Sequence, residues 1–162
     1  FYDGNYKAAL DPLRHAFEIN PKGLANWLYA WAFACDNRHE EAISVIDKGL
    51  KKDYNSTANS INLMLKFALI NEKEKALKII TSDLQNAIKT GGPAISHLAS
   101  GILAFCGEKE KAIDLLNNAV DRGFLNYPLI AEKDPFLENI REEKQFITLM
   151  KKLKYKWENF KV

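Results

Sequence analysis

The sequence predicts an all-α protein, a solenoid of stacked helix pairs, and three observations carry that expectation. The pentapeptide EKEKA occurs twice, at Glu72 to Ala76 and at Glu108 to Ala112, each time followed by apolar residues at helical spacing. Alanines in the same setting recur at Ala42 in RHEEAI and at Ala9 in NYKAAL, so units of 33, 34 and 36 residues tile most of the chain. A period of this length marks supersecondary units that stack because none can bury its own apolar face. Composition agrees: 47% of the 162 residues are apolar and 27% charged, enough for a continuous core without an apolar run of membrane-spanning length.

Taken in order, helices are expected over 4–19, 23–36, 39–51, 57–70, 73–89, 93–106, 109–121 and 142–155, in one domain. Gly4 and Gly107 stand in turns, where a positive φ suits glycine. Glu72, Glu74, Glu108 and Glu110 fall in first helical turns, where acids suit the helix dipole. Gly91-Gly92-Pro93 is the clearest break, since the glycines can close one helix and proline tolerates the first turn of the next. At the end, Phe146, Leu149, Met150 and Leu153 form an i, i+3, i+4, i+7 stripe fit to cover the last repeat.

Gly4, Tyr6, Ala9, Leu13, Ala16 and Pro21 stand at the spacings of the second helix of a tetratricopeptide repeat (TPR), and Trp27 opens the next unit with the large aromatic of that family's first helix. The chain resembles a TPR protein over roughly residues 4 to 121. The resemblance implies a right-handed superhelical solenoid of antiparallel helix pairs, with repeats over 1–21 (partial), 22–54, 55–90 and 91–124 and a cap over 125–162. It implies a small residue at the helix crossing, with Ala119 and Gly49 matching Ala16 and Asp83 breaking the series. The departures are Trp31 for a small residue, Arg38 and Asn71 for the turn glycine, and Tyr54 and Phe124 for the closing proline. The tail from Asp134-Pro135-Phe136-Leu137 through Arg141 to Phe146, Leu149 and Met150 resembles the segment that closes TPR arrays in bacterial regulatory proteins. There the array is a C-terminal sensor or docking part joined to an upstream domain, and the start at Phe1, inside a repeat, fits a fragment of a longer chain.

The resemblance also implies a concave groove lined by first helices, here mostly apolar, with Tyr29, Asn62 and His97 free to orient a ligand and Leu65 beside them. Leu28 and Ala32 replace the Lys and Asn with which such domains grip acidic chaperone tails, so that clamp is absent. The competing contact is the face of the first helix carrying Leu10, Leu13 and Phe17, open to a second copy of the chain.

Chemistry is weakly signalled. Ser96, His97 and Ser100 share a helix, with Asp114 or Asp121 as a conceivable orienter, but no nucleophile elbow or oxyanion loop accompanies them. His15 and His39 read as solvated. Cys35 and Cys106 lie two units apart and read as buried, reduced thiols, without zinc-ligand spacing, and no cofactor or metal site is expected. A net charge of +2 disfavours a nucleic-acid-binding repeat, the alternative reading, although KKLKYKWENFKV interleaves lysines with Tyr155, Trp157 and Phe160. The expectation is a non-enzymatic, cytoplasmic scaffold that binds a protein or peptide in signalling.

Overall fold

The computed structural model describes residues 2–21, 24–50 and 56–160; Phe1, Tyr54 and Lys161 lie outside them. The described residues are helical and contain no strand. They fall into two compact units, one of Asn5–Leu84 and one of Gln85–Val162 with Tyr2–Gly4.

The first unit holds α1 (Tyr6–Ile19), α2 (Leu24–Cys35), α3 (His39–Leu50), α4 (Thr57–Leu69) and α5 (Lys73–Lys78), each packed on the next. Asn5 caps α1 by accepting from Ala8 N at 3.1 Å, and Ser56 caps α4 by accepting from Asn59 N at 3.2 Å. The three-residue turn between α2 and α3 makes a helical hairpin. Asn37 sits there at φ 59°, with Asn37 N bonded to Ala34 O and Arg38 N to Phe33 O at 2.9 Å. This is a Schellman closure, and it satisfies carbonyls that the end of α2 would otherwise leave bare. The left-handed residue is therefore Asn37, not the expected Arg38, and it stands five residues before the fully buried Ala42. Asn71 closes α4 in the same way at φ 62°, five residues before the fully buried Ala76.

The helix expected over 73–89 is broken. α5 ends at Lys78, and α6 (Ser82–Thr90), which spans the boundary of the two units, begins after Thr81, whose Oγ1 accepts from Leu84 N at 3.2 Å. A continuous helix would carry Asp83 to the place that Ala119 occupies, fully buried, seven residues after Ala112. The break leaves Asp83 exposed and spares it that desolvation. Ala16 also departs from expectation: it is exposed, because α1 buries only Tyr6 and Ala9, at its start.

The second unit is built around α7 (Pro93–Cys106), which packs on α8 (Lys109–Asp121) and on a 3₁₀ helix, Pro135–Ile140. Pro93 takes the first helical position behind Gly92, as the sequence indicates. Every residue from Ser96 to Ala104 is buried. Gly107, at φ 92°, closes α7 five residues before the buried Ala112, and Gly123, at φ 100°, closes α8. A π-helical turn, Leu129–Lys133, precedes the 3₁₀ helix; both fall between the expected helices 109–121 and 142–155. Finally α9 (Lys144–Glu158) lays Phe146, Leu149, Met150 and Leu153 inward and packs on α8, as a covering helix should.

Candidate functional site

The residues expected to meet a ligand are inside. Tyr29, Asn62, Leu65 and His97 are 9%, 1%, 0% and 1% exposed, the first three in the first unit and His97 in the second. For Asn62 and His97 this corrects the expectation that they are free to orient a partner, and Leu65 is closed off with them, whereas Tyr29 borders a cleft. Asn62 Nδ2 on α4 donates to Asn26 Oδ1 on α2, and Asn26 Nδ2 donates to Val45 O of α3 at 2.9 Å. That amide chain ties three helices together in place of lost water contacts. It also explains Gly49: a Cβ there would fall 2.6 Å from the Asn26 amide carbon.

His97 is likewise a packing element. Its ring stacks on Phe124 at 4.5 Å and 18°, and Nε2 lies 2.9 Å from Asp134 Oδ2. Ser96 Oγ lies 2.9 Å from both Ile88 O and Asn118 Oδ1, and Ser100 Oγ donates to His97 O at 2.8 Å. Both hydroxyls are committed to partners other than the imidazole. Asp121 is held by Lys152 at 2.6 Å, and that hydrogen bond keeps its carboxyl below the usual range. The imidazole's acid is Asp134, 37 positions away on an irregular segment, with no local signal to reveal it. Cys35 and Cys106 carry no disulfide and are half-buried, not buried as expected, because each stands at the end of its helix. Among the described residues no cluster of three or more His, Cys, Asp or Glu could hold a metal ion, and no helix is long and apolar enough to cross a membrane.

What the first unit does present is a cleft of about 320 Å³ where α1, α2 and α3 meet, lined by Phe17, Tyr29 and Phe33 and rimmed by Arg14, Glu18, Glu41, Ser44 and Lys48. The rings form a row, 5.7 Å from Phe17 to Tyr29 and 4.7 Å from Tyr29 to Phe33, both tilted. The Arg38 guanidinium lies 4.5 Å from the Phe33 centroid and pairs with Glu41 at 2.9 Å. That bond holds the Glu41 carboxyl below its ordinary value, while Arg14, hydrogen-bonded to Glu18 at 3.2 Å, is raised. Burial pushes the Tyr29 phenol up, against a smaller opposing pull from Arg14 and Arg38. An aromatic floor with a rim of both signs can take an apolar side chain while its polar edge orients the surrounding backbone. Tyr29 and Phe33 at i, i+4 were visible in the sequence, but on a helix apolar on every side nothing marked that pair as bordering a cleft.

No family model matches the sequence, and neither the curated proteins nor the solved structures compared with it match.

Proposed function

We propose that the chain is a TPR-like helical-repeat module that binds a protein or peptide and serves as the interaction or sensor part of a bacterial regulator. The repeat reading is supported by recurrence: Asn37, Asn71 and Gly107 each take a positive φ five residues before a fully buried alanine, and Gly4 takes one five residues before Ala9. The observation that carries the binding reading is the Phe17–Tyr29–Phe33 cleft, whose volume suits one bulky apolar side chain and whose rim offers charges of both signs to a peptide backbone. Phe17 belongs to the first-helix face already expected as the competing contact.

Selection of a displayed random-peptide library on the protein tests this. The expected result is a set of peptides sharing an aromatic or branched apolar residue, each losing at least about tenfold in affinity, some 1.4 kcal/mol, when Ser44→Trp fills the exposed rim. Peptides without such a residue, or unaffected by Ser44→Trp, would overturn the assignment.

A further inference from the structure

The lysines of α9 differ in what neutralises them. α9 carries five lysines against the single Glu158. On one side Lys152 and Lys156 share Asp121, at 2.6 and 3.5 Å, while Lys144 beside Lys152 has no acidic partner among the described residues. On the other, Lys151 and Arg141 have no acidic partner among the described residues, and Lys154 reaches Glu158 only at 3.9 Å. Those three cations border one cleft of about 310 Å³, between the segment holding Tyr127 and Glu132 and the face of α9 that exposes Ile147. Arg141 is fixed by donating to Asp134 O at 3.0 Å, and its Nε is buried without a hydrogen-bond partner.

We infer that this cleft docks an acidic peptide segment bearing an apolar side chain, the carboxylates meeting Arg141, Lys151 and Lys154 and the apolar group resting on Ile147. Three cations against the single Glu132 leave a net positive rim around an apolar floor, which is complementary to that chemistry and speeds encounter as well as fixing register. Glu132 on the rim opposes a uniformly charged phosphate backbone, whereas a peptide can place a neutral residue beside it. The Tyr127 ring, with Lys154 Nζ 5.9 Å from its centroid, is not a free face for stacking a base. The Phe146, Leu149, Met150 and Leu153 stripe of α9 is spent inside its own unit, and because Ile147, Tyr155 and Trp157 stay exposed among lysines, an anionic membrane is the competing outcome that the vesicles measure. The inference stands apart from the first-unit cleft, and Ser44→Trp leaves it unaffected.

The test is fluorescence anisotropy on the full chain with a labelled short peptide of Asp and Glu around one Phe, with oligouridylate and phosphatidylserine vesicles as competitors. Lys151→Glu and Lys154→Glu, each made alone, should weaken peptide binding at least about fivefold, while the charge-matched Lys152→Glu should change it less than about twofold. Ile147→Ser should weaken the Phe peptide several-fold and leave its Phe→Ala version unchanged. Circular dichroism establishes that each variant is folded, which exposed positions 147, 151, 152 and 154 should allow. Absence of peptide binding, equal loss in Lys152→Glu, indifference to Ile147→Ser, or tighter binding of the oligonucleotide or vesicles would each overturn the proposal.

Discussion

His97 and Asp134 meet inside the second unit, Nε2 2.9 Å from Oδ2, with 1% of each side chain exposed. Neither imidazole nitrogen nor Asp134 Oδ2 has a hydrogen bond among the described residues, so the approach is a close polar contact outside hydrogen-bonding geometry. Asp134 Oδ1 also accepts from Phe136 N at 3.0 Å, starting the 3₁₀ helix. One carboxylate thus ties the closing segment to α7. Asp134→Ala should cost about 1–3 kcal/mol, because it strips a cap and removes the polar group set against a buried imidazole. His97→Leu combined with Asp134→Asn should cost less than the two single changes added, by more than about 0.5 kcal/mol in a urea-unfolding double-mutant cycle. Strict additivity would show that the two groups do not interact.

Asn37 and Asn71 occupy equivalent turns at nearly equal positive φ. A Cβ-bearing residue pays about 1–2 kcal/mol there, and asparagine lowers that cost through local hydrogen bonding. Asn71→Gly should therefore leave thermal stability unchanged or raise it, and Asn71→Ala should lower it by about 1 kcal/mol. If Ala and Gly variants melt together, the turn does not hold its left-handed conformation in solution.

The period and its buried alanines were legible because a helix crossing admits only a small residue, and Ala42, Ala76 and Ala112 repeat that demand. The faces of α2 and α7 were not legible. Both are apolar around nearly their whole circumference, so no stripe tells a residue facing a groove from one facing a neighbour, and Asn62 and His97 were read outward when both point in. The interruption at 79–81 was half visible: Asp83 broke the small-residue series, and the chain answers that conflict by ending α5. Contacts such as His97 with Asp134 join an amphipathic repeat to an irregular tail, and no local spacing encodes them.

Ala112 tests the crossing directly. It is fully buried on α8, which packs against α7 more extensively than any other helix pair does among the described residues. Ala112→Leu should cost about 1–3 kcal/mol through overpacking, read as a lower urea midpoint with an unchanged slope. An unaltered midpoint would mean that the helices separate there at little cost.

Tyr29 reports on the first-unit cleft through its own titration. Its phenol is raised above 10.0, burial being the largest cause, with Arg14 and Arg38 pulling down and Glu18 and Asp11 pushing up. A value higher in the folded than in the unfolded chain means that the neutral phenol is favoured by folding. The associated stability is fully present below the unfolded value near 10 and is lost as pH rises through the folded one. In alkaline absorbance titrations, subtracting Tyr29→Phe from the parent should leave a tyrosinate component that ionises above ordinary tyrosine, and the variant should lose less stability over that alkaline range. A peptide whose apolar side chain seats against Phe17, Tyr29 and Phe33 removes more water from the phenol, so saturating peptide should move that component further up. A bound peptide that leaves it in place would be held somewhere other than the aromatic cleft.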